Sequence, residues 1–113
     1  MKKIALIGST GSIGTQVLNC VRRHPDKFQI VSLSAGTNAT AFLQQVKEFK
    51  PKVATLIDDN GLDKNILGKE TEYFFGEDAF TNAIIDDCDI VVVSLVGFKG
   101  IIAVLDAINK KKN

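Results

Sequence analysis

The chain has 113 residues, enough for one domain and too few for two. Hydrophobic residues make up 45% and charged residues 24%, the balance of a globular protein with a modest core. The formal net charge of +1 gives no electrostatic case for nucleic acid or a membrane as partner, and no apolar run approaches the ~18 residues of a membrane span.

Met1 is followed almost at once by an apolar strand, which leaves no room for a leader, so a cytoplasmic location is expected. That strand, Lys3–Ile7, is a short apolar run ending at glycine. Ser12–His24 has helical spacing through Ile13, Val17, Cys20 and Val21, with Leu18 beside them, and Pro25 ends it. This stripe predicts that Cys20 is buried, and Cys20 and Cys88 together read as reduced core thiols because they lack CxxC spacing. His24, the only histidine, falls at the helix end, where a surface role is expected.

Phe28–Ser34 reads as a second strand and Ala39–Phe49 as a second helix, with Phe42, Leu43, Val46 and Phe49 on one stripe and Asn38 as N-cap. Lys52–Ile57 is a third strand, Asp59-Asn60-Gly61 a turn, and Asp63–Gly68 a weak helical stretch. Tyr73–Phe75 makes a brief strand, Glu77–Ile85 a helix, Asp89–Leu95 the clearest strand, and Lys99–Lys110 a final helix ending in the solvated Lys110–Lys112. Alternating strands and helices, with continuous apolar strands, predict an α/β three-layer sandwich around a mostly parallel sheet. Right-handed crossovers then bring the loops 8–14, 36–38 and 96–100 to the carboxyl edge of the sheet, where ligands bind.

The strongest motif is Gly8-Ser9-Thr10-Gly11-Ser12-Ile13-Gly14, which leaves a strand and opens a helix. Gly8 permits the sharp turn, Gly11 leaves room for a pyrophosphate to approach the backbone, and Gly14 permits close helix packing. The N–H groups of Gly11, Ser12 and Ile13 point out of a positive helix end, and Thr10 and Ser12 add hydroxyls. The motif and its setting make this a Rossmann-type dinucleotide-binding domain.

An NAD site carries an acidic residue ~20 residues on, at the end of the second strand, to take the ribose 2′-OH. Here that position reads Ser34-Ala35-Gly36-Thr37-Asn38, and the acids nearest in sequence are Asp26 and Glu48. Ser34, Thr37, Asn38 and the backbone after Gly36 can instead donate to a 2′-phosphate at the start of the second helix, which favours NADPH. Gly97 is placed to let a nicotinamide pass close to the backbone, and Lys99 faces solvent or phosphate. No Asp, Glu and His cluster has metal-ligand spacing, and the pairs Asp58-Asp59 and Asp86-Asp87 read as solvated turns or helix ends. A Tyr-x-x-x-Lys pair is excluded, because Glu77 stands four residues after Tyr73.

The segments Gly8–Gly14, Ala35–Asn38 and Val96–Gly100, in this order over essentially the whole chain, resemble the N-terminal NADPH-binding domain of 1-deoxy-D-xylulose 5-phosphate reductoisomerases. The resemblance implies cofactor contacts at Thr10, Gly11, Ser12, Ile13, Gly36, Thr37 and Asn38, with no catalytic or metal-binding residue in this stretch. It also implies that the full-length enzyme isomerises a sugar phosphate and reduces it with NADPH to 2-C-methyl-D-erythritol 4-phosphate, a step of non-mevalonate isoprenoid precursor synthesis. A divalent metal (Mg, Mn or Co) and a homodimer belong to that enzyme, and the chain alone is expected to be inactive. One departure is Thr37, where the family often carries Lys or Arg. Another NADP-dependent reductase, such as a semialdehyde dehydrogenase, and a non-catalytic NADP(H) sensor share the glycine loop. Metal carboxylates beyond residue 113 would mark the reductoisomerase, and a partner-binding or DNA-binding module there would mark the sensor.

Overall fold

The computed structural model describes residues 1–59, 62, 65, 67–76 and 79–94. In chain order these form β1 (Lys2–Ile7), α1 (Ser12–Arg23), β2 (Phe28–Ala35), α2 (Ala39–Phe49), β3 (Val53–Leu56), β4 (Glu72–Phe75), a 3₁₀ turn (Ala79–Ala83) and β5 (Ile90–Val93). The strands make one sheet in the order β4-β3-β2-β1-β5, and all four pairings are parallel. The chain steps outward from β1 to β4 and then returns to the other side of β1. The strand order therefore reverses at β1, beside β5, which is the position where open α/β sheets form a ligand crevice.

Both faces of the sheet are covered. Ile4, Leu6, Ile30, Leu33, Ala54 and Leu56 pack with Leu18 and Val21 of α1 and Phe42 and Val46 of α2. On the opposite face Ile7 and Ile57 meet Ala83 and Ile84, while Ala5 and Val31 meet Cys88. A register shift between Ile4 and Ala5 pairs Ile4 with Ile30 but Ala5 with Ser32, so Val31 is the extra residue of a bulge.

The structure corrects three expectations. The buried stripe of α1 is Gly14, Leu18 and Val21, whereas Ile13 is 59% exposed and Cys20 is exposed. Gly14 sits against the loop backbone and fixes the rotation of the helix, so Leu18 and Val21 turn inward with Val17 packed beside them, while Ile13 and Cys20 turn out. Only Cys88 is a buried thiol.

The helix expected over Glu77–Ile85 is a 3₁₀ turn at Ala79–Ala83, with 77–78 outside the described residues. Ala83, Ile84 and Ile85 all pack on one face of the sheet, and three consecutive inward residues do not fit a helical period. Asp87, read as solvated, is partly exposed and also serves as an ion-pair hub: Oδ1 takes Lys3 Nζ at 2.8 Å and Oδ2 takes Lys52 Nζ, joining the starts of β1 and β3. The loop Val96–Gly100 and the helix Lys99–Lys110 lie outside the described residues.

Candidate functional site

The glycine loop begins where β1 ends. Gly8 has φ +89°, a left-handed conformation that turns the chain off the strand. Gly14 lies one helical turn on, with no space for a β-carbon between it and the backbone of Gly8 and Ser9. Gly11 is different. Its φ of −78° and ψ of 176° suit any residue, and a β-carbon there would meet only Gly8 O, at 3.6 Å.

Gly11 is the N-cap of α1 and supplies no side-chain cap. Its carbonyl accepts the N–H of Thr15 at 2.9 Å, so the amides of Ser12, Ile13 and Gly14 precede the first helical hydrogen bond. The Gly11 amide itself donates back to Gly8 O at 3.3 Å. The amides left over at the helix start are therefore those of residues 12–14, while the Gly11 amide, expected among them, is engaged within the loop. Thr10 is half-buried at the mouth of the loop, and Ser12 is exposed.

The second half-site abuts the first. Ser34 pairs with Ile7 across the sheet, and its carbonyl accepts both Gly8 N at 2.7 Å and Ser9 N at 2.9 Å. Gly36, Thr37 and Asn38 come directly after β2 and lead into α2. Thr37 and Asn38 are exposed and Gly36 is half-buried. Asn38 Oδ1 accepts from Ala41 N at 3.2 Å, so Asn38 is the predicted N-cap. All seven residues expected at a cofactor lie on the carboxyl edge of two adjacent strands. The fold also brings an acid nearer than the sequence suggests: Asp58 comes after β3, and its amide donates to Gly36 O at 3.0 Å.

Two residues that frame the loop escaped the sequence reading. Gln45 is buried on α2, and its Nε2 donates to Ser9 O at 2.9 Å. A polar residue three positions after Phe42, on the apolar stripe, was the available signal. Ser94 comes after β5, and its hydroxyl reaches Ile7 O at 2.9 Å and Gly8 O at 2.8 Å. It lay hidden at the end of a run read only as apolar. Gly97 and Lys99 lie outside the described residues. Among the described residues, no group of three or more His, Cys, Asp or Glu is gathered to hold a metal, and no helix is long and apolar enough to cross a membrane.

The arrangement suits a phosphate diester bound across two parallel strands, with a positive helix end aimed at it and a second helix start alongside. The family model for 1-deoxy-D-xylulose 5-phosphate reductoisomerase matches residues 4–113. The reductoisomerase of Agathobacter rectalis is 42% identical over 116 residues, covering 99% of this chain and 30% of that protein. That of Proteus mirabilis is 41% identical over 118 residues, with the same coverage. The chain thus spans 30% of the length of these relatives. Among solved structures, the Zymomonas mobilis reductoisomerase in complex with NADPH superposes with TM-score 0.86 at 30% identity, over 98% of this chain and 30% of that one. A reductoisomerase in complex with NADPH, fosmidomycin and magnesium gives TM-score 0.90 at 26% identity, over 100% of this chain and 29% of that one.

Proposed function

Because the chain belongs to the 1-deoxy-D-xylulose 5-phosphate reductoisomerase family, we propose that residues 1–113 are the NADPH-binding domain of such an enzyme. The observation that carries this reading is the start of α1. It has no side-chain cap, three amides ahead of the first helical hydrogen bond, and the end of β2 hydrogen-bonded to the loop beside it.

In this reading the amides of Ser12, Ile13 and Gly14 and the hydroxyls of Thr10 and Ser12 hold the pyrophosphate, and Gly11 lets it approach the backbone. Gly36, Thr37 and Asn38 receive the 2′-phosphate at the start of α2, where the helix dipole favours an anion. Ile13, with 59% of its surface exposed, offers apolar contact to the nucleotide. Bound NADPH supplies the hydride of the overall reaction, and this chain's residues hold and orient it.

Isomerisation and reduction of the sugar phosphate, the divalent metal, a homodimeric assembly and a cytoplasmic location are proposed for the whole enzyme. The metal and substrate residues are assigned to the length of the relatives that this chain does not span. The chain alone is proposed to bind the cofactor without turning over substrate. Titrating isotope-labelled chain with NADPH and monitoring backbone amide resonances tests the site. Shifts centred on residues 10–14 and 36–38 are expected. Shifts confined to other residues, or none, contradict the assignment.

A further inference from the structure

Ser9 is fully buried, so its carbonyl needs a donor. That donor is Gln45, 36 residues away, whose own side chain sits in the interior of α2's packed face. Glutamine is seldom buried, and here the burial is only half compensated. Gln45 Oε1 and Ser9 Oγ have no hydrogen-bond partner among the described residues. An apolar side chain would avoid that penalty. What Gln45 brings and an apolar residue would not is the N–H on Ser9 O.

The other backbone groups at the start of the loop are held as firmly. Ser34 O takes Gly8 N and Ser9 N, and the Ser94 hydroxyl reaches Gly8 O. Gly8 and Ser9 are thus fixed from β2, from α2 and from the end of β5. Gln45 has a further property, because it rides on the helix whose first turn adjoins Thr37 and Asn38. Its place, six residues into α2, is roughly 9 Å along the axis from Ala39. One rigid helix therefore contacts the pyrophosphate loop with Gln45 and presents the 2′-phosphate subsite with its N-terminus.

We infer that Gln45 and Ser94 are positioning residues: they hold the glycine loop in its phosphate-receiving conformation, and Gln45 sets the register between the two halves of the dinucleotide site. This rests on the NADPH reading above. It predicts a dependence on ligand length. A ligand confined to the α2 half-site does not need the register, whereas one that spans both halves does.

The test compares NADPH with adenosine 2′-phosphate, which lacks the pyrophosphate, on the wild-type chain, Gln45→Met and Ser94→Ala. Gln45→Met keeps the volume and removes the donor. It is expected to weaken NADPH about tenfold while leaving adenosine 2′-phosphate within about twofold. Ser94→Ala, a smaller change at a half-buried position, is expected to weaken NADPH about threefold with the same selectivity, and it carries the test if Gln45→Met does not fold. Equal losses for both ligands, or no loss of NADPH affinity in a folded variant, overturn the inference and leave the NADPH reading intact. A wild-type chain that binds neither ligand overturns the NADPH reading and this inference together.

Discussion

Gly14 and Gly8 are in closer contact than any side chain allows: a β-carbon on Gly14 would stand 2.1 Å from the carbonyl oxygen of Gly8 and 2.9 Å from Ser9 Cα. The atoms it would strike are backbone, themselves held by Ser34, Gln45 and Ser94, so nothing nearby can yield. Gly14→Ala is therefore expected to lower stability by about 3 kcal/mol, read as a reduced urea midpoint. Gly11→Ala, whose β-carbon meets only ordinary contact, is expected to cost less than about 1 kcal/mol. Equal costs for the two would mean that the loop does not pack as described.

Thr37 stands where the proposed 2′-phosphate subsite, residues 36–38, has hydrogen-bond donors but no cation of its own, and the fold adds Asp58 one strand further along the same edge. Thr37→Lys is expected to raise NADPH affinity by about tenfold and leave NADH affinity unchanged. The gain should shrink with added salt. Binding competition at two ionic strengths checks this. A gain shared equally with NADH would place the 2′-phosphate elsewhere.

The acid limb of stability should carry the signature of Asp87. Hydrogen bonds from Lys3 and Lys52 hold its carboxyl down to about 2, below the ordinary 3.8. A folded pKa below the unfolded one means that the contribution is complete above the unfolded value and is lost as pH falls through about 2. Asp87→Asn is expected to flatten the fall in melting temperature across that window and to leave less salt dependence. Because the pair is solvent-exposed, the effect is small. Identical acid profiles for variant and wild type would contradict the ion-pair assignment.

Lys50 ends α2 at φ 49° and ψ 56°, the described non-glycine residue with a left-handed backbone. Its amide closes on Val46 O at 2.8 Å, so the conformation is part of the helix stop ahead of Pro51. Lys50→Gly removes the steric cost of that backbone and is expected to stabilise the chain by about 1 kcal/mol. Thermal unfolding of the variant reads this directly, and a loss of stability would mean that the cap is not strained.

Much of the architecture was legible in the sequence because local signals and burial agree there. The bounds of α2 come from Asn38 as cap and Lys50-Pro51 as stop. The strand β1 comes from the unbroken apolar run Ile4–Ile7, and β2 from the apolar residues Phe28, Ile30, Val31 and Leu33, which a parallel sheet buries on both faces. The glycine loop was legible because Gly8 and Gly14 answer backbone demands that arise within the same seven residues.

The features that the sequence concealed depend on partners far along the chain. The rotation of α1, which exposes Ile13 and Cys20, is set by Gly14 meeting Gly8 in space, and hydrophobicity alone favours the neighbouring stripe. Gln45, Ser94 and Asp87 each act across 35 residues or more, and a single sequence without those contacts gives their side chains no partner. Asp58 comes to Gly36 only through the pairing of β2 with β3.

The most direct test of the central claim is calorimetric titration of the folded chain with NADPH and, in parallel, with NADH. The expected result is one site per chain and clear preference for NADPH, because the start of α2 offers donors to a 2′-phosphate and no carboxylate stands within residues 32–38. Failure of a folded chain to bind either nucleotide, or equal affinity for both, would contradict it.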